Sequence, residues 1–179
     1  MTMRILAIDL ATTTGCAFGS PMSKPESWTV DFHRWKNHDQ RMAQVLRWVR
    51  HLHEKLAPDL IAVEAPIGGP DASHLLIGMT FCVRGQAADL GIRTVMYSSS
   101  TIRHHFIGKS LTSRHFPGMK RSDVQLAIKN RVRDKCLSLG WEPKTLDESD
   151  ALAAFDYACA RESMPHQVQT VGGLFRKQA

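Results

Sequence analysis

The sequence predicts an α/β domain built on a mixed five-stranded sheet with helices on both faces. Three short apolar or alternating runs follow one another closely near the N-terminus, the spacing of an antiparallel meander. Two more short apolar runs are set apart by long stretches of helical periodicity, as in β-α-β crossovers that pair strands in parallel. Beyond them the pattern is helical only.

The elements follow in order. "ILAIDL" (5–10) reads as a buried strand broken by a single acid, "TTTG" as a turn, and "CAFGS" as a short second strand. Pro21 and Pro25 bracket a loop, and "SWTVDFH" alternates as a third strand. Met42, Val45, Leu46, Val49, Leu52 and Leu56 keep helical spacing. Arg41, Arg47, Arg50 and Lys55 take the other face of that helix, expected to be solvated, and Pro58 ends it. "DLIAVEAP" is a fourth strand that again ends in an acid. A loop with Gly68, Gly69 and Pro70 leads to a helix over about 72–90, whose Leu75, Leu76, Met79 and Phe81 suit either core packing or a dimer interface. "RTVMYSS" is the fifth strand, and Ser99 or Ser100 caps a short helix through Phe106. The segment 108–121, "GKSLTSRHFPGMKR", has glycines, a proline and basic residues but no acid, and reads as a loop that contacts phosphate. Ser122 then opens a helix with Val124, Ile128, Val132, Cys136 and Leu139 on one face, closed by Gly140. "DESDALAAFDYA" (147–158) starts the last helix. The reading is one domain over 1–162 and a tail over 163–179.

Composition narrows the function class. In 179 residues, 23 Lys and Arg stand against 17 Asp and Glu, a net charge of +6 that is compatible with a polyanionic partner without demanding one. Cys16, Cys82, Cys136 and Cys159 form no CxxC pair, so thiolate metal spacing is absent and reduced thiols in a cytoplasmic protein are expected. No apolar run approaches the roughly 20 residues that span a membrane. With Arg4 and Asp9 inside the first apolar stretch, no signal peptide is expected.

The acids carry the chemistry. Asp9 and Glu64 each end an apolar strand, where an ionised carboxylate is costly unless compensated. Asp147 and Asp150 share one face at the start of the last helix. Taken singly, each has a plain structural reading: a paired strand acid, a loop cap, a helix cap at Asp147 or Thr145, a first-turn acid. Taken together, the four suit a hard divalent ion such as Mg²⁺, which takes oxygen ligands. Two such ions would suit phosphodiester hydrolysis. Glu148 points away on helical geometry and is expected in solvent. His104, His105 and His115 are expected as surface or DNA-facing groups, since hard-metal sites favour oxygen.

"ILAIDLATTTG", "LIAVEAP" and "DESDALAAFDYA", in that order and at those separations, resemble the RuvC family of Holliday junction resolvases over most of residues 3–162. The resemblance implies an RNase H-like fold, a homodimer, and Mg²⁺- or Mn²⁺-dependent paired nicking of four-way DNA junctions with two ions per site. It also implies a cytoplasmic location, in the nucleoid or in a phage-infected cell. It makes Asp9, Glu64, Asp147 and Asp150 the catalytic metal ligands and Lys120 a catalytic cation near the scissile phosphate. Arg103 stands roughly where another family lysine is expected. Thr12, Thr13, Ile67, Lys109, Arg114 and Arg121 join Arg103 and Lys120 as expected DNA contacts. The chain departs from the family where Leu10-Ala11 replace the usual Pro-Gly after the first aspartate, and where Ile67 stands near the place of a base-stacking aromatic. These departures fit a divergent, phage-type member. Two other readings remain: an RNase H-like nuclease acting on flaps or structured RNA, and a non-catalytic junction-binding module.

Overall fold

A computed structural model describes residues 2–70, 72–109 and 111–163. Its strands are β1 (Ile5–Asp9), β2 (Thr13–Gly19), β3 (Glu26–Asp31), β4 (Leu60–Glu64) and β5 (Arg93–Tyr97). Its helices are α1 (His38–Leu56), α2 (His74–Asp89), α3 (Ser99–Ile107), α4 (Arg121–Ser138) and α5 (Leu146–Glu162), with a 3₁₀ turn at Ser113–His115. The sheet order is β3-β2-β1-β4-β5. The pairs β1–β2 and β2–β3 are antiparallel, and β1–β4 and β4–β5 are parallel. The expected mixed sheet is therefore present. The tail lies, beyond Ser163, outside the described residues.

Strand periodicity sorts the core into two layers, because successive side chains leave opposite faces of the sheet. Ile5, Ala7, Ala17, Leu60 and Ala62 pack under α3, α4 and α5 with Ile102, Phe106, Val132, Leu152 and Phe155. Leu6, Ile8, Ile61 and Val63 pack on the other face with Val45, Val49 and Leu52 of α1 and Met79, Val83 and Ala87 of α2. By the same alternation Asp9 and Glu64 belong to the α5 face.

The sequence reading needs correction at several places. Only Leu10 to Thr12 reverse the chain after β1; Thr13, Thr14 and Gly15 already belong to β2. Thr14 is fully buried, and its hydroxyl donates to the Ala11 carbonyl at 2.6 Å and accepts from the Ala11 N–H. The turn is thus closed from inside the strand, which propensity for Thr-rich turns does not reveal. The helix α4 starts at Arg121, and a 3₁₀ turn interrupts the basic loop before it. Arg41 is buried rather than solvated. Its guanidinium donates to the Phe32 and Trp35 carbonyls at 3.0 and 2.7 Å, tying α1 to the end of β3. Within α2, Met79 is buried and Leu75 and Leu76 pack against the core, whereas Phe81 is exposed.

The α5 helix lies directly on β2. A Cβ placed on Gly15 would come within 1.9 Å of the Asp147 carbonyl oxygen. One on Gly19 would meet the Phe155 ring at 3.2 Å. From Asp147 to Phe155 α5 rises about 12 Å, and from Gly15 to Gly19 β2 advances about 13 Å, so helix and strand run side by side. Gly15 is paired with Asp9 across the ladder, which sets the start of α5 over the end of β1.

That helix start is capped from within and from β3. The Thr145 hydroxyl accepts from the Glu148 N–H at 3.1 Å. Glu148, contrary to expectation, is buried. Its carboxylate accepts from the Ser27 hydroxyl and the Lys144 N–H, each at 3.0 Å. The physical reason is that β3 covers the side of the helix facing away from Asp147 and Asp150.

Two substitutions test this packing. Gly15→Val should destabilise the fold by about 3 kcal/mol or more, since the obstacle is backbone that cannot step aside. Glu148→Ala should cost about 1–3 kcal/mol through the stranded donors. Urea midpoints within experimental error of the parent would refute each assignment.

Candidate active site

The acids reach one place because three elements end there. Asp9 is the last residue of β1, and Glu64 is the last of β4, one step beyond the Ile8–Val63 pair in the parallel register. The start of α5, pressed onto Gly15, brings Asp147 and Asp150 over those strand ends. Asp9 and Glu64 are partly buried and Asp150 is buried.

Their electrostatics record the convergence. Burial, then Glu64, Asp150 and Asp147, push the Asp9 carboxyl well above the usual carboxylate range, against the pull of Lys129. Burial and Asp150 push Glu64 up to about 7, opposed by Arg103, Lys129 and a hydrogen bond from Ser99 at the start of α3. Asp9 therefore feels the other three sequence-predicted acids, and Glu64 feels Asp150 as well.

Two cations stand among them. Arg103 of α3 approaches Asp150 Oδ2 at 3.5 Å, and its buried Nε has no hydrogen-bond partner among the described residues. Lys129 of α4 holds Asp147 Oδ1 at 2.9 Å and Asp150 Oδ2 at 3.3 Å. Burial disfavours the Lys129 ammonium, but Asp150, Asp147 and Asp9 outweigh it and keep its proton above the ordinary lysine range. Lys129 was not singled out from sequence. The available signal was its position next to Ile128, at the margin of the α4 apolar stripe that packs against α5.

The donor chemistry of the site fits a hard divalent ion: among the described residues, four carboxylates face two cationic side chains. The spacing is not set for it as it stands. Among the described residues, no three His, Cys, Asp or Glu side chains gather as a metal-holding group.

The other expected contacts are spread more widely. Thr12 and Thr13 flank the turn after Asp9, where the Thr12 carbonyl accepts from the Phe32 N–H at 2.7 Å. Ile67 is 70% exposed in the loop that follows Glu64. Lys120 is exposed as the N-cap of α4, Arg121 is the first residue of that helix, and Arg114 lies in the 3₁₀ turn. Lys109 lines a cavity of about 420 Å³ with Arg131, Asp134 and Lys135, between the end of α3 and α4. Lys109, Arg114 and Lys120 form no salt bridge among the described residues. Of the histidines, His105 pairs with the buried Asp156 at 2.9 Å, and His115 accepts from the Thr112 N–H.

A carboxyl that protonates more readily in the folded chain favours folding at low pH. For Glu64 that advantage disappears as pH rises from about 4.5 to about 7. The metal-free protein should therefore melt at progressively lower temperature across that window, by at most about 3 kcal/mol from this group. Glu64→Gln should flatten the fall and melt above the parent at pH 8. Parallel melting profiles for parent and variant would remove Glu64 as the cause.

No family model matches the chain, and no curated protein matches it in sequence. Solved structures do match. The structure of Thermus thermophilus RuvC superposes with a TM-score of 0.60 at 18% identity, covering 89% of this chain and 96% of that one. T. thermophilus RuvC in complex with Holliday junction substrate superposes with a TM-score of 0.63 at 16% identity, covering 90% and 97%. The yeast mitochondrial Holliday junction resolvase Ydc2 gives 0.53 at 14% identity, covering 86% and 76%. Sheet order, helix placement and these superpositions agree that the chain has the fold of RuvC and other Holliday junction resolvases.

Proposed function

We propose that this chain is a metal-dependent endodeoxyribonuclease that nicks four-way DNA junctions in pairs, acting as a homodimer. The observation that carries the reading is the meeting of Asp9, Glu64, Asp147 and Asp150 at one end of the sheet. A protein that merely bound DNA would gain nothing by turning four carboxylates, only partly offset by Arg103 and Lys129, towards phosphate. The likeness of fold to junction resolvases adds the substrate class, and the net charge of +6 suits it. Symmetric nicking of a junction calls for two sites, hence two copies.

Asp9, Glu64, Asp147 and Asp150 would hold Mg²⁺ or Mn²⁺, two ions in the full site. The bound metal would supply Lewis-acid charge for phosphodiester hydrolysis. The chain's own groups do the rest. Arg103 orients Asp150 and keeps a free Nε–H donor beside it. Lys120, Arg121 and Arg114, on the segment leading into α4, would meet backbone phosphates, with Lys109 on the flank. Thr12, in the turn after Asp9, and Thr13, the first residue of β2, would serve the same purpose. Exposed Ile67 offers apolar contact but no aromatic face for base stacking.

Incubation of the protein with a labelled mobile four-way junction and Mg²⁺ should give symmetric paired nicks. Asp9→Asn, Glu64→Gln, Asp147→Asn and Asp150→Asn should each slow cutting by about 100-fold or more while junction binding persists. Full activity in Asp9→Asn would refute the site. Strong flap or RNA cutting without paired nicks would redirect the substrate, and tight junction binding without any cleavage would mark a binding module.

A further inference from the structure

Lys129 reaches into the acid cluster at Asp147 and Asp150. Its ammonium bridges Asp147 Oδ1 at 2.9 Å and Asp150 Oδ2 at 3.3 Å, from a neighbouring helix. A Mg²⁺ ion needs carboxylate oxygens at about 2.0–2.1 Å. An ammonium and a divalent ion sharing these oxygens would stand only about 4 Å apart, so they repel each other and each weakens the hold of the carboxylates on the other. Asp150 is almost fully covered, but the Lys129 side chain keeps 32% of its surface in solvent. Its four-carbon stem is flexible, so it has both room and freedom to leave.

We infer that Lys129 is the resting counter-cation of the site, a positioning residue that keeps Asp147 and Asp150 paired until a divalent ion displaces it. This rests on the metal-dependent reading above. Without such a cation, four converging carboxylates would repel one another when ionised. With it, the carboxylates stay assembled, and metal binding carries the cost of expelling an ammonium. Metal affinity is thereby held below what the four acids alone would give. A merely structural lysine would behave the opposite way, since its removal would loosen the ligands and weaken metal binding.

The test is Mn²⁺ binding by the full chain, followed through the electron paramagnetic resonance signal of free Mn²⁺. Lys129→Met should bind Mn²⁺ at least tenfold more tightly than the parent. In the unaltered protein, acetylation of the Lys129 amine, read by mass spectrometry, should become several-fold faster when Mn²⁺ is added, while exposed Lys55 is unaffected. This second measurement decides alone if the variant fails to fold. Equal or weaker binding by the folded variant, or Lys129 labelling that ignores bound Mn²⁺, overturns the inference and leaves metal binding standing. Absence of Mn²⁺ binding by both parent and variant overturns the metal reading itself.

Discussion

At Gly15 the backbone of Asp147 comes so near to β2 that a single added carbon would collide with its carbonyl. That approach decides where α5 begins relative to the strand ends, and the rest of the molecule is arranged around it. The Gly15–Asp9 pair carries the position across to β1, and the parallel register carries it on to Glu64. Thr145 and Glu148 lock the first turn of the helix in place, and the apolar run from Ala151 to Phe155 anchors its length in the core. A site assembled from three separate elements is held by one close backbone contact and two layers of ordinary packing.

The same assembly works against stability. Asp9 and Glu64 lie where burial disfavours their ionised forms, and neighbouring acids add to the penalty. Lys129 and Arg103 offset part of it. Carboxylates poised in this way gain most from a cation and lose most from its absence, the pattern expected where function is maintained at some expense of folding energy. Two buried polar groups near the site are better satisfied. Arg41 binds two carbonyls at the β3–α1 junction, and Thr14 closes the turn beside Asp9. Both brace the end of the sheet at which the acids collect.

Much of this was legible in the residues. An acid ending an apolar strand is costly enough to stand out, so Asp9 and Glu64 announced themselves, and period-two and helical patterns located every strand and helix to within a few residues. Beyond element boundaries, the reading failed for one kind of reason. Glu148 was assigned to solvent from the helical face alone, yet β3 covers that side. Arg41 was assigned to the charged face of α1, yet the end of β3 folds over it. Lys129 passed unnoticed because its partners lie on another helix.

The sequence by itself determined the fold class, the order of elements and the acids, because local periodicity and the cost of burying charge act on neighbouring residues and leave a pattern along the chain. Only the tertiary structure decided which polar groups meet. The contacts Gly15–Asp147, Lys129–Asp150 and Glu148–Ser27 join residues far apart in the chain, and their geometry depends on how whole helices settle against the sheet. No local pattern records such distances, since they result from the packing of both layers at once.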